Sequence, residues 1–299
     1  MIEAAVAGDL YLDILTSPIE RIFTETIEGG DVFTSIGGNA ANTAVALSSL
    51  GIKTQLFCAV SEDYFGKMLE NKLRKRKVVI FASRKKVMQA ITMGLNFADG
   101  KRFFFGNKSK SNMLFSPSDI KRRKITGKIF FSGGFWYTPL MWHGLKGIFF
   151  YTKKRGMINC MDVCWDHEGF PSHKTKAFFS VLPFVDYLFL NPAEIKGICK
   201  EDLSSSIKMV LASGVKNIVL HRGSRGASLI NKERRVTSPA FRTEIRNPTG
   251  TGDVFNAGFI YGLLKKLSFR ECLKIGNAAA SLHLGGRSYP SLANAKELL

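Results

Sequence analysis

Apolar positions along this 299-residue chain follow two rhythms. Short runs such as "KIFFSG" (128–133), "GMINCMDV" (156–163), "VDYLFLN" (185–191), "NIVLHRG" (217–223) and "ASLIN" (227–231) have strand length and little polar alternation. Strands buried on both faces look like this. Between them lie helical patterns at about 140–155, 172–181, 193–200 and 203–213, and two more close the chain at about 252–266 and 269–284. This alternation predicts an α/β fold, a doubly wound, mostly parallel sheet flanked by helices. The first third begins in the same way. "AAVAGDLYLDIL" (4–15) predicts a strand broken at Gly8-Asp9, and "NAANTAVALSSLG" (39–51) predicts a helix of small residues from Asn39 to a stop at Gly51. "TQLFCAVSEDYFG" (54–66) predicts a strand and turn, and 66–77 a basic amphipathic helix.

Two regions break the rhythm. Residues 24–38 alternate polar and β-branched positions, as exposed strands do, and strand-like segments return between 78 and 110, with Asp99-Gly100 as a hairpin turn. These odd segments predict a small β-sheet covering one edge of the main one. It is inserted at about 10–38 and 87–106 of a single domain that spans residues 1–299.

Composition changes this picture little: 45% hydrophobic and 22% charged residues are ordinary for a globular protein. No stretch is apolar and long enough to span a membrane, and "MIEAAVAGDLYLDIL" lacks the basic start and cleavage pattern of a signal peptide. Five scattered cysteines favour a reducing, cytoplasmic setting over a disulfide framework. The charge is uneven. Residues 67–128 hold 18 Lys or Arg against three acids, within a net charge of +19. Such a field favours anionic partners, although a solvated basic face explains it as well.

The candidate chemistry lies in four stretches. In "NPTGTGDVFNAGF" (247–259), Gly250 and Gly252 let backbone N–H groups approach an anion, and a helix starting near Thr251 adds its positive end. Asp253 beside such a place repels a phosphate unless it serves to accept a proton from a substrate hydroxyl; an ordinary helix start is the plain alternative. In "IGGNAANTAVALSSLG" (36–51), Asn39 and Asn42 stand three apart, so both amides can face one pocket, or Asn39 simply caps the helix. In "LNPAEI" (190–195), Asn191 and Glu194 follow a strand end, where Glu194 can organise a hydrated Mg²⁺ or the pair can cap a helix. "HRGSRGA" (221–227) puts Arg222, Gly223, Arg225 and Gly226 on a turn between strands. There is no Walker A loop, no G-x-S-x-G and no His/Cys metal cluster, and His143, His167, His173 and His283 fit surface or core positions.

Taken in this order, the four stretches resemble the ribokinase-like (PfkB) family of ATP-dependent sugar kinases, from Asp9 to about Pro290. The resemblance implies a sugar kinase that uses ATP and Mg²⁺, with a small β-sheet lid. It implies Asp253 as catalytic base and the backbone of Gly250, Thr251 and Gly252 as anion hole. Asp9, Asp13, Gly38, Asn39, Asn42 and Asp162 would line the sugar pocket. Asn191 and Glu194 would serve the phosphates and, through water, Mg²⁺. Arg222, Gly223, Gly226, Thr249 and Asn277 would face ATP. It also implies a homodimer paired through the lid.

Some positions depart from the family pattern. Asn247-Pro248 stands where Asp-Thr is usual, which puts a monovalent-cation requirement in doubt. In "MDVCWDHEGF" (161–170), Asp162 fits a D-x-N-x-R pattern but Cys164 and Asp166 replace its Asn and Arg, which weakens the case for an acidic acceptor. A basic run at 84–102 pulls the other way if it lies in the lid. A nucleoside kinase is the alternative acceptor class, with Tyr11, Phe33 and Trp136 as candidates for base stacking. A non-catalytic nucleotide or nucleic-acid binder using the basic 67–128 surface is the alternative of another kind.

Overall fold

The computed structural model describes residues 1–17, 19, 30–97, 102–107, 110–121 and 123–299. Its strands are β1 (Ala4–Gly8), β2 (Tyr11–Thr16), β3 (Val32–Gly37), β4 (Thr54–Ser61), β5 (Val79–Lys85), β6 (Ile91–Asn96), β7 (Arg102–Gly106), β8 (Ile129–Gly133), β9 (Ile158–Asp162), β10 (Tyr187–Leu190), β11 (Asn217–His221), β12 (Ala227–Ile230) and β13 (Arg235–Ser238). The helices are α1 (Asn39–Ser49), α2 (Tyr64–Lys75), α3 (Pro117–Lys121), α4 (Trp142–Lys154), α5 (Ser172–Val181), α6 (Pro192–Cys199), α7 (Leu203–Ala212), α8 (Thr251–Leu264), α9 (Phe269–Leu284) and α10 (Leu292–Lys296).

Nine strands form one sheet in the order β13-β12-β11-β10-β9-β8-β1-β4-β5. All neighbours are parallel except at one end, where β12 and β13 run antiparallel. Side chains alternate between its two faces, as a period of two requires. Ala4 and Val6 of β1 and Leu56, Cys58 and Val60 of β4 join the layer that holds α1, α8 and α9. Ala5, Ala7, Phe57 and Ala59 join the layer that holds α4 to α7. From β1 the chain winds outward through β4 and β5 on one side and through β8 to β11 on the other. A crevice opens where the winding reverses, at the carboxyl ends of β1 and β8. Asp9 and Gly134 follow those ends directly.

A four-stranded sheet, β3-β2-β6-β7, stands beside this crevice. Its strands lie within the predicted insertions 10–38 and 87–106; the proposed Asp99-Gly100 turn and residues 20–29 lie outside the described residues. The basic run is corrected at its start. Arg84 and Lys85 sit in β5, paired along β4 at the edge of the main sheet, not in the small sheet. Arg84 meets the buried Glu70 at 2.8 Å and Lys85 meets Asp119 at 3.0 Å. Edge strands carry charge readily, and β13, four residues long with Arg235 exposed, gave no strand signal.

Phe259 anchors α8 to the sheet. It is fully buried, edge-on to Phe189 at 5.5 Å and near Tyr187 at 5.7 Å. Phe259→Ala is expected to cost about 3–5 kcal/mol, by lost burial and a residual cavity. A urea titration should show a lower midpoint with an unchanged slope.

Candidate active site

The centre of the site is the amino terminus of α8. Gly250 occupies its N-cap position with φ 79°, a left-handed backbone that suits glycine, and no side chain caps the helix. The N–H groups of the first turn therefore stand as an anion site beside the positive helix end. This is a fit for phosphate oxygens, and it is a property of the chain itself.

Asp253 lies in that first turn and is buried. Asn39 Nδ2 donates to its Oδ1 at 2.6 Å and Asn42 Nδ2 donates to its Oδ2 at 2.9 Å. The two amides, three apart on α1, thus point to one place, as their spacing suggested, and what they meet there is the chain's own carboxylate. Asn39 Oδ1 in turn accepts from Gly134 N at 3.0 Å. Tyr289 donates its hydroxyl to Asn42 Oδ1 at 2.7 Å and so orients the second amide. Burial pushes the Asp253 carboxyl well above the usual carboxylate range, and the charges of Asp162 and Asp9 add to this.

Four more acids share the crevice. Asp9 Oδ1 accepts from Ala40 N at 2.9 Å, capping α1 from outside the helix, and its carboxyl lies against Gly134. Burial pushes it up to about 6. Asp13 sits in β2 with its carboxyl against Gly37, pushed up to about 7 by burial and then by Asp9. Asp162 Oδ2 accepts from Asn256 Nδ2 at 2.6 Å and Oδ1 from Cys164 N at 2.9 Å; burial raises it too. Glu194 is held at about 8 by burial and by the charge of Asp162. Among the described residues, no Lys or Arg pairs with any of these five acids.

The nucleotide-side candidates are more dispersed. Asn191 Oδ1 accepts from Ala193 N and Glu194 N, while Glu194 Oε2 accepts from Asn191 N, a complete capping box. The Asn191 oxygen is thus committed to the helix, and the buried Glu194 carboxyl, short of cations, is the group that fits a hydrated metal. Arg222 turns its guanidinium to Ser228 Oγ at 3.2 Å. Gly226 packs against the carbonyl of Ser238, to which Asn277 Nδ2 donates at 3.1 Å, so these two candidates meet at one corner. Thr249 O lies 2.7 Å from His283 Nε2.

Of the stacking candidates, Trp136 is corrected. It is buried among Phe135, Phe170 and Phe178, with Nε1 donating to Cys164 O, and is a core residue. Tyr11 is buried under Lys110 Nζ, 5.1 Å from its ring centroid. Phe33 pairs with Leu15, two residues from Asp13, and so projects from the same face of the small sheet. Sequence reasoning passed over Tyr289, Asn256 and His221, and read His283 only as a surface or core residue, which its burial bears out. Asn256 carried a signal, a polar residue one turn after Asp253 in an apolar helix. Tyr289 carried none, being 247 residues from its partner Asn42.

The chain belongs to the family described as pfkB family carbohydrate kinase, whose profile matches residues 2–289. An uncharacterized sugar kinase of Archaeoglobus fulgidus is 34% identical over 91 residues, 30% of this chain and 36% of that protein. A ribokinase of Haemophilus influenzae is 24% identical across 93% of this chain and 90% of its own. Solved structures share the ribokinase-like fold. An adenosine kinase from Sinorhizobium meliloti has a TM-score of 0.83 at 21% identity, covering 99% of this chain and 98% of that one. Arabidopsis thaliana ribokinase complexed with ribose and ATP has 0.82 at 22%, covering 100% and 99%. Among the described residues, no helix is long and apolar enough to cross a membrane.

Tyr289→Phe removes the donor that orients Asn42. Loss of that hydrogen bond should cost about 1 kcal/mol in a denaturant titration. Turnover should fall several-fold with the fold intact by circular dichroism, because one of the two amides at Asp253 becomes free to rotate.

Proposed function

We propose that this chain transfers the terminal phosphoryl group of ATP to a hydroxyl of a small sugar or sugar-like molecule, working as one domain with the four-stranded sheet as lid. One observation carries the reading: a buried carboxyl, Asp253, held by two amides inside the first turn of a helix whose N–H groups no side chain caps. A base and an anion hole within one turn are what in-line transfer to an alcohol needs. The acceptor oxygen bonds to phosphorus as the bond from phosphorus to the bridging oxygen of ADP breaks. The hydroxyl proton passes to Asp253, whose carboxylate burial makes more basic than an exposed one. The N–H groups of 250–252 receive the charge on the transferring group. Mg²⁺, when bound, would be held through water by Glu194 and would neutralise phosphate charge.

Asp9, Asp13 and Asp162 are the acceptor side of the site. A pocket lined by carboxylates with no paired cation suits neutral hydroxyls, which donate to them, and repels acidic acceptors. Asn247 offers an amide, directed at Ser288 Oγ (3.3 Å), in place of a carboxylate, so no monovalent-cation requirement is proposed. Phe33, on the Asp13 face, keeps nucleosides among the acceptors worth testing.

The test is ADP release with Mg·ATP across neutral sugars and polyols, sugar acids, sugar phosphates and nucleosides. Turnover on neutral polyhydroxylated compounds is expected, falling about 10²–10⁴-fold in Asp253→Ala. Asp253→Asn, which sets an amide against two amide donors, should lose as much while staying folded. Near-normal turnover in either variant would sink the assigned base. Salt-sensitive polynucleotide binding without ADP release would favour the binder instead.

The lid also carries a proposed homodimer contact. Ile14 pairs with Met93 and Met93 with Phe105, so Met93, Phe103 and Phe105 share one face, which Val32 joins through β2 and β3. All four are about half exposed or more, and this face lies opposite Asp13. Light scattering should give a dimer mass for the parent and a monomer for Met93→Lys with Phe105→Lys; a monomeric parent would dismiss the contact.

A further inference from the structure

His221 ends β11 and points its ring into the site just described. It packs edge-on against Phe255 at 4.8 Å and lies 6.3 Å from Phe189. Nε2 is 3.0 Å from Asn256 Oδ1. The other end of that amide donates to Asp162 Oδ2. A carboxylate only accepts, so Asn256 must turn Nδ2 to Asp162 and Oδ1 to the ring, and His221 therefore carries its proton on Nε2. Nδ1 is left as the variable atom. A Cβ built on Gly252 would lie 3.6 Å from both Nδ1 and Cε1. The Nδ1 edge of the imidazole thus abuts the first turn of α8, where the proposed reading puts the phosphates.

A bare lone pair beside a phosphate is repulsive, whereas a proton on it makes a charge-assisted donor. We propose that His221 is a phosphate ligand that takes up a proton at Nδ1 as nucleotide binds and donates it to a phosphate oxygen, with Asn256 holding Nε2–H in place. This rests on the kinase reading of the α8 terminus and deepens it. The proton comes from solvent and returns there on release, so it adds nothing to the balance of the transfer itself. Burial lowers the pKa of the free imidazole, and Asp162 opposes that shift. The groups facing the ring are Asp162 from β9, Asn256 and the nearby Asp253 of α8, and, beside Asp162, Glu194 of α6. Arg222, next in the chain, is directed away to Ser228. Phosphate raises the imidazole pKa in the complex. Between the lowered free value and the raised bound value, binding takes up a proton, and affinity falls as pH rises through the bound value.

The probe is Mg·ATPγS, whose thiophosphate stays ionised, titrated calorimetrically at about pH 7.5 in two buffers of different ionisation heat. The parent should take up close to one proton more than His221→Gln, which keeps a donor for Asn256 but cannot titrate. The variant should bind about tenfold more weakly and lose the alkaline fall in kcat/KM for ATP. In the parent alone, the ¹⁵N shift of Nδ1 should move from bare to protonated on saturation, a readout that does not need the variant to fold. Equal proton uptake in parent and variant, or an Nδ1 that stays bare in the complex, overturns the proposal while leaving the kinase reading intact. A folded parent that binds no nucleotide removes both.

Discussion

Everything at this site depends on one constraint: five carboxyl groups are buried near the mouth of a parallel sheet with no basic side chain paired to them among the described residues. Charges desolvated in this way lose more than neighbours of like sign can tolerate, so the fold must answer them otherwise. It uses amides and backbone. Asn39 and Asn42 hold Asp253, Asn256 holds Asp162, and the start of α1 holds Asp9. Neutral donors fix the geometry without cancelling the charge. Without Lys or Arg partners, burial holds Asp9, Asp13 and Glu194 above the usual carboxylate range.

The same constraint explains the placement of α8. Its uncapped N-terminus is an electropositive feature next to the acids, and it owes nothing to side-chain charge. Gly250 closes against Asn42 and His283, at 3.4 and 3.6 Å from where a Cβ would stand. The loop 247–250 is fixed from behind: His283 accepts from Tyr289 N at Nδ1 and reaches Thr249 O through Nε2. Tyr289 thereby bears on both sides at one remove, on the loop through His283 and on Asp253 through Asn42. It does so at φ 50°, an unfavourable conformation for a tyrosine that the surrounding contacts must enforce.

The main sheet, its helices and the strands of the small sheet were legible because each follows a local period, two for strands and 3.6 for helices. Asn39, Asn42 and Asp253 were legible because glycine-rich turns and helix starts mark them in the sequence. Asn191 shows the limit of such marks, since the same pattern that suggests a ligand also writes a capping box, and its oxygen makes the cap. Trp136 shows another limit: aromatic character says nothing about which side of a strand end a ring will pack on. The basic run at 84–102 could be placed in the small sheet only conditionally, because charge identifies a surface but not which sheet carries it, and its start, Arg84 and Lys85, lies in β5.

Harder to read from the sequence are the residues that orient other residues. Tyr289, Asn256 and His221 reach the site from three separate elements, and each acts on an amide or a helix turn rather than on a motif. Hydrogen-bond direction then propagates without ambiguity. The Asp162 carboxylate fixes the Asn256 amide, the amide fixes the tautomer of His221, and the tautomer leaves Nδ1 at the edge of α8. A chain of this kind joins Asp162 to the first turn of α8 through neutral groups. In the proposed reading, charge gained by the imidazole is answered by Asp162 one amide away, so the two ends need not be in contact for the state of one to weigh on the other.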